Sequence, residues 1–415
     1  MNKKQEIKNR IDLINKGEVP EGYKKRFGYI VPNDWDIVPI KKVVTQVHRS
    51  VDKPNEPYYR LSVRSHAKGT FHSFVEDPET VAMEELYKVK ENDLIVNITF
   101  AWEHAIAIVK KEDDGLLVSH RFPTYEFNNN VCVKFYENII KFPRIKKMLG
   151  DMSPGGAGRN RVLNQTDFYN KLYVPYTSKK EQEKIAEILS CCDKVIELKE
   201  NLLIEKKQEK KYLMQKLYTP KIDWIKCSVS KLGNVVTGNT PSTDIKEYYG
   251  TEYPWITPSD INSNKYIYKG DRNLSNIGIT KARLLPKDSV LVTCIASIGK
   301  NAILKVKGSC NQQINAIIPN DSMSADFIYY LIENNTLLLK KYAGTSATSI
   351  INKDTFENLV FKIPNNKQEQ IKIAEILSQF DKEIELLEQE LEQYKQLKKS
   401  LSQLLLTGIV RVNEV

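Results

Sequence analysis

One stretch of this chain is written twice. The run Ile-Ala-Glu-Ile-Leu-Ser at 185–190 returns unchanged at 373–378, and the copies stay in register: Asp193 answers to Asp381, Ile196 to Ile384, Leu203 to Leu391 and Leu213 to Leu401. The offset is constant (373 − 185 = 188). An ancestral half has therefore been duplicated, and the fold must accommodate two equivalent parts.

In the second copy Ile373, Leu377, Phe380, Ile384, Leu387, Leu391, Tyr394, Lys398, Leu401 and Leu405 step by fours and threes, the a/d seam of a coiled coil. The first copy places Ile185, Leu189, Cys192, Ile196, Lys199, Leu203, Lys206, Lys210, Leu213 and Leu217 on the same seam, with lysine at three positions. Lone helices are marginal in water, so these predict a helical partner, and the nearest one is the other copy, packed antiparallel. A helix of roughly 37 residues spans about 55 Å, the length of a spacer between two globular bodies. The competing reading is a helix folded back on its own domain; duplication of the helix together with the domain before it favours the spacer.

The 415 residues suffice for two to three domains with full cores. No run of eighteen apolar residues occurs and the N-terminal segment has no apolar signal core, which predicts a cytoplasmic protein. Six cysteines lack CxxC spacing and a companion histidine cluster, and read as reduced thiols, not metal ligands. The net charge is 62 − 52 = +10, with the excess outside the last helix, which suits contact with a polyanion.

Taken in order, residues 3–16 place Ile7, Ile11 and Ile14 on one helical face before Gly17, predicting a short docking helix. Strand-like runs follow at 94–100, 105–109 and 131–135, then a helical segment at 138–148, the loop Ser-Pro-Gly-Gly-Ala-Gly-Arg-Asn-Arg at 153–161, and the first long helix. The second half repeats this frame in other words: Pro-Lys-Ile-Asp-Trp at 220–224 stands where Pro-Asn-Asp-Trp stood at 32–35, and 344–364 parallels 156–175. The loops between differ almost entirely. The expected segments are a docking helix at 1–20, mixed α/β domains at 21–176 and 220–365, and long helices at 177–219 and 366–415.

No catalytic constellation is visible. There is no phosphate loop, since Gly299-Lys300 is followed by Asn301 without the upstream glycine. The five histidines all lie in the first domain without HExxH spacing. What remains is a set of loops rich in DNA-contacting residue types. In the first domain these are Arg49, Arg60, Arg64 and Lys68, with Arg159, Asn160 and Arg161 on the glycine-rich loop. In the second they are Asn239, Thr240 and Ser242 of Gly-Asn-Thr-Pro-Ser, then Arg272, Lys281, Arg283, Lys300, Gln312, Gln313, Thr345, Ser346 and Thr348. Arginine, asparagine and glutamine forks read base edges, whereas lysine and hydroxyl groups mostly hold phosphates. For any one of them, plain solvation is the competing reading.

Together the duplicated helices, the Pro-Asn-Asp-Trp and Gly-Asn-Thr-Pro-Ser segments, Ile-Gly-Lys-Asn-Ala-Ile-Leu at 298–304 and the Gly-Thr-Ser opening at 344–346 resemble the specificity subunits of type I restriction-modification systems, over essentially the whole chain. The resemblance implies an α+β fold, with two target recognition domains in pseudo-two-fold repeat and two long antiparallel coiled-coil helices as spacers. It further implies a non-catalytic DNA-binding subunit without cofactor. Each domain would read half of a split, asymmetric duplex-DNA site. The partners would be two methyltransferase (modification) subunits, which methylate adenine N6, and restriction/translocase subunits in the full complex. The chain departs from the pattern at 45–50, where Thr-Gln-Val-His-Arg-Ser replaces the Gly-Asn-Thr-Pro-Ser segment. The rival from another class is a coiled-coil scaffold that binds only proteins, for which the basic, divergent loops would have no role.

Overall fold

A computed structural model describes residues 3–156, 160–262, 264–343 and 350–412. The chain divides into two compact units, residues 1–198 with 391–415 and residues 199–390, so each unit holds part of both long helices.

Those helices run from Lys179 to Leu217 and from Lys367 to Leu405, 39 residues each. Their bounds keep the sequence offset at both ends (367 − 179 = 188; 405 − 217 = 188). Neither contains Gly or Pro, and both are built from strong helix formers. Ser178 Oγ accepts from the Glu181 amide at 3.3 Å, and Asn366 Oδ1 from that of Gln368 at 2.8 Å, so a side-chain cap opens each helix. The second helix stops before Gly408, whose φ of +67° reverses the chain.

Along the seam, every position of the first helix is at least half-buried, and in the second only Tyr394 is exposed. Within the second unit Lys199 meets Glu390 at 2.6 Å, Lys207 meets Glu388 at 2.6 Å and Lys210 meets Asp381 at 2.7 Å. Numbers rise on one helix as they fall on the other, so the helices are antiparallel. In the first unit Lys398 pairs with Asp193 in the same sense. Lysine in a seam costs a coiled coil stability, and here acids of the facing helix offset part of that cost for Lys199, Lys210 and Lys398.

Each unit carries the same two-sheet frame. In the first unit an antiparallel sheet has the order Ile106–Ile108, Leu94–Val96, Thr124–Phe127, Val44–Val47. The second unit has the corresponding order Asn301–Leu304, Ser289–Thr293, Ile314–Pro319, Gly233–Thr237, with Tyr266–Ile267 added at the edge. The other sheet shares a parallel pair flanked by an antiparallel strand: Leu117–Val118, Tyr58–Val63 and Thr70–Val75 in one unit, Ser309–Cys310, Tyr253–Ile256 and Arg272–Leu274 in the other. The first unit extends this sheet with Glu85–Lys88 and Ser50–Asp52. The two units thus share these strands and diverge at edges and loops.

The first unit's main core joins Trp35, Tyr125, Phe135 and Phe168 to Ile185, Leu189 and Leu405 of the long helices; that of the second joins Val290, Phe327 and Phe356 to Met214, Ile373 and Leu377. A polar clasp closes the first. The Trp35 indole donates to Glu181 at 3.0 Å, and Arg411 reaches both Glu181 (2.8 Å) and Asp34 (2.8 Å). At the equivalent place in the second unit Lys221 pairs with Glu369 at 2.7 Å, and the Trp224 indole N–H has no acceptor among the described residues.

The N-terminal helix, Lys3–Asn15, donates from Arg10 to the Ile409 carbonyl. Two local expectations fail. Residues 131–135, read as strand-like, enter the helix Val133–Ile139. Val-Cys-Val-Lys-Phe alternates for five residues, but Val131, Phe135, Tyr136, Ile139 and Ile140 are the buried set, at helical spacing. The helical segment at 138–148 is likewise two helices, the second restarting at Pro143.

Candidate nucleic-acid interface

In the second unit three loops leave the same end of one sheet, because Thr237 pairs with Asn315 and Thr293 with Ile314. These are 238–242, 294–300 and 311–313. Gly238 lets the first lie on the third: a Cβ there would sit 2.2 Å from the carbonyls of Cys310 and Asn311. The loops are then tied by side chains. Thr240 Oγ1 donates to Gln312 Oε1 at 2.5 Å, Asn311 Nδ2 to Gln313 Oε1 at 3.0 Å, and Asn239 Nδ2 to the Lys281 carbonyl at 2.8 Å. Asn239 Oδ1 accepts from the Arg283 amide at 2.8 Å. The structure thus brings together Asn239, Thr240, Ser242, Lys281, Arg283, Gln312 and Gln313, with Thr240, Ser242, Arg283 and Gln312 exposed.

Lys300 closes the neighbouring turn at this sheet end, where Ala296 (φ +59°) and Gly299 (φ +83°) adopt left-handed backbone. Arg272 stands apart, exposed on the strand paired with Trp255. Thr345, Ser346 and Thr348 lie outside the described residues.

The first unit presents the matching end differently. Arg49 follows the strand Val44–Val47, and its guanidinium is held by buried Asp93 and by Glu126 at 3.3 Å. The Asp93 hydrogen bond keeps its pKa above the ordinary value despite burial. Arg161 donates to the carbonyls of Ser153 (3.0 Å) and Gly150 (2.8 Å) and lies over the Trp102 ring, so it braces the loop that carries it. Asn160 is exposed beside it, and Arg159 lies outside the described residues.

Arg60, Arg64 and Lys68 lie on the hairpin ribbon Tyr58–Val63 with Thr70–Val75, which forms the edge of the five-stranded sheet. Its tip is pinned where His66 and Ala67, both at positive φ, donate backbone N–H groups to Glu103 and His104 at 2.8 Å. Arg64 covers the Phe71 ring, and Tyr59 and Phe74, 54% and 56% exposed, meet with centroids 4.9 Å apart.

Sequence reasoning missed this aromatic ribbon, since Thr-Phe-His-Ser-Phe-Val does not alternate cleanly. It also missed exposed His120 and Arg121, which precede Thr124 as Gln312 and Gln313 precede Ile314. Aligning the repeated strands would have found them.

Among the described residues no group of three or more His, Cys, Asp or Glu is arranged to hold a metal. Burial pushes the Cys294 thiol up to about 11 and that of Cys310 up to about 12, far from a reactive thiolate. Among the described residues no helix is long and apolar enough to cross a membrane.

The family model for the type I restriction modification DNA specificity domain matches twice, at 33–208 and 221–396. The MjaIX specificity subunit of Methanocaldococcus jannaschii is 37% identical over 169 residues, 39% of this chain and 39% of that one, so the match spans well under half of that relative's length. The HsdS subunit of Thermoanaerobacter tengcongensis superposes with a TM-score of 0.52 at 16% identity, over 92% of this chain and 98% of that one. A chain from a type I R-M system solved for its assembly and conformational transition gives a TM-score of 0.64 at 15% identity, over 92% and 99%. These two likenesses show a shared fold.

Proposed function

The chain belongs to the family of type I restriction modification DNA specificity domains, and on that premise we propose that it reads a split, asymmetric duplex-DNA site, one half-site per unit. The observation that carries this reading is the doubled frame with unlike loops. The same sheet end holds Asn239, Thr240 and Gln312 in one unit. In the other it holds Arg49, His120 and Arg121, beside the ribbon of Arg60 and Arg64. Equivalent scaffolds with different edge chemistry read different bases.

In this reading the chain contributes recognition and no catalysis. Methyl transfer to adenine N6 and DNA restriction belong to partner subunits, two methyltransferase chains and a restriction/translocase component, which it positions on DNA in the cytoplasm. Thr240, Ser242, Gln312 and Gln313 are the proposed base readers of the second half-site, and Arg60 and Arg64 those of the first. Arg49, Arg161 and Arg283 spend guanidinium donors inside the chain, and we assign them to shaping the loops.

The test is selection of duplexes from a random library by the chain assembled with its methyltransferase subunits. Enrichment of two unrelated short motifs at a fixed gap is expected. No enrichment, with intact assembly, would leave the protein-only scaffold.

A further inference from the structure

A cavity of about 1030 Å³ opens in the second unit between the 296–301 turn, the helix Thr336–Tyr342 and both long helices. It lies at the top of the roughly 300–1,000 Å³ range of ordinary small-ligand sites and is far larger than a single ion needs. Its walls are rich in lysine. Lys207 and Lys210 are matched by Glu388, Glu333 and Asp381. Lys211, Lys300, Lys340 and Lys382 also line it, are exposed, and have no ion-pair partner among the described residues.

The turn that carries Lys300 is built tightly. A Cβ on Gly299 would sit 2.9 Å from the Thr336 side chain, so the turn lies against the helix that carries Lys340. At the cavity wall Asn301 is 7% exposed, and its Oδ1 finds no donor among the described residues. A buried carboxamide oxygen left without a donor carries a desolvation penalty. An amide offers an N–H₂ as well as an oxygen, so it serves an anion once rotated about its terminal bond.

Four unmatched lysines and no free arginine make a surface for phosphates and not for base edges, since lysine acts as a point charge and lacks the bidentate fork. The turn leaves the same sheet end as the 238–242 and 311–313 loops. We propose that this cavity is a phosphate clamp for the DNA backbone on the spacer side of the second half-site, with Lys211, Lys300, Lys340 and Lys382 as its cations and Asn301 as a polar contact. The proposal rests on the DNA-reading function above and adds a sequence-independent element to it.

The test is a salt series of DNA binding by the chain assembled with its methyltransferase subunits, comparing wild type with Lys300→Gln, Lys340→Gln, Lys382→Gln and the triple variant. Lys362→Gln, on an exposed strand position outside the cavity, is the control. Each single change should reduce the slope of log K against log salt by about one unit, equally on cognate and unrelated duplexes, with the selected motif unchanged. The control should leave the slope alone.

A wild-type slope in the triple variant would overturn the clamp. So would loss of assembly with normal DNA binding per assembled complex, which would make the cavity a protein-docking site. If wild type itself shows neither salt-dependent binding nor a motif, the DNA-reading function fails instead.

Discussion

Lys210 on the first long helix stands 2.7 Å from Asp381 on the second and 3.1 Å from Glu333 of the recognition domain. One lysine in a seam meant for apolar residues therefore ties both helices to the domain they serve. Tyr330 donates to the same Asp381. Burial opposes the lysine's charge, but Glu333 and Asp381 outweigh it, and its pKa is raised. We predict that Asp381→Ala lowers stability by about 1–3 kcal/mol, less than the roughly 3–5 of a fully buried broken pair because the carboxylate is partly exposed. The urea midpoint reads this. A raised lysine pKa adds stability that is complete below the unfolded value near 10.4 and is lost as pH rises through the folded value. Wild type and variant should therefore converge in strong alkali.

Burial grades the seam, and substitutions should follow the grade. Leu377 is fully buried in the second unit's core, whereas Leu387 is only half-buried. Leu377→Ala should cost about 2–5 kcal/mol and Leu387→Ala clearly less. Leu387→Lys should be harmful in proportion to the burial of the position. Equal losses in thermal melts of the two alanine variants would show that the seam packs otherwise.

The Arg411 clasp predicts a pH signature. The Arg411 hydrogen bond holds the Asp34 carboxyl below its ordinary range. A depressed carboxylate contributes stability that is present above the unfolded value, near 3.9, and is lost as pH falls through the folded one. Arg411→Ala should weaken the first unit at neutral pH, and the gap to wild type should shrink below about pH 4. Acid titration of tryptophan fluorescence follows it, because Trp35 hydrogen-bonds to Glu181, which Arg411 also holds. A gap that stays constant down to pH 2 would assign the effect to packing of the arginine on Trp35.

The helices were legible because their evidence is local and repeated: no Gly or Pro, a 3-4 apolar step, and a second copy to check the first. Side-chain engagement was not legible, because the partners come from elsewhere in the chain. Arg49 and Arg161 carry DNA-contacting chemistry in sequence, yet Asp93 and the Ser153 carbonyl hold them in the structure. The seam lysines looked like weak points until Glu390 and Asp381 came opposite. Conversely, Thr240 and Gln312 lie 72 residues apart and share a hydrogen bond only because two strands end together.

If the helices set the gap and the loops set the bases, the two should be separable. Inserting four residues at equivalent points of both long helices adds about 6 Å of helix, close to two base pairs at roughly 3.4 Å each. The gap should lengthen with both half-sites unchanged. Exchanging residues 220–365 for the same domain of a relative should instead change one half-site at constant gap. Altered half-sites after the helix insertion would mean that the helices read bases.

The most direct measurement is the map of methylated adenines in a host that expresses this chain with its methyltransferase subunits and otherwise lacks that modification. The account predicts one asymmetric motif, two unrelated half-sites separated by a fixed run of unspecified bases, methylated throughout the genome and absent when this chain is omitted. A continuous or palindromic motif, or the same motif without this chain, would contradict it.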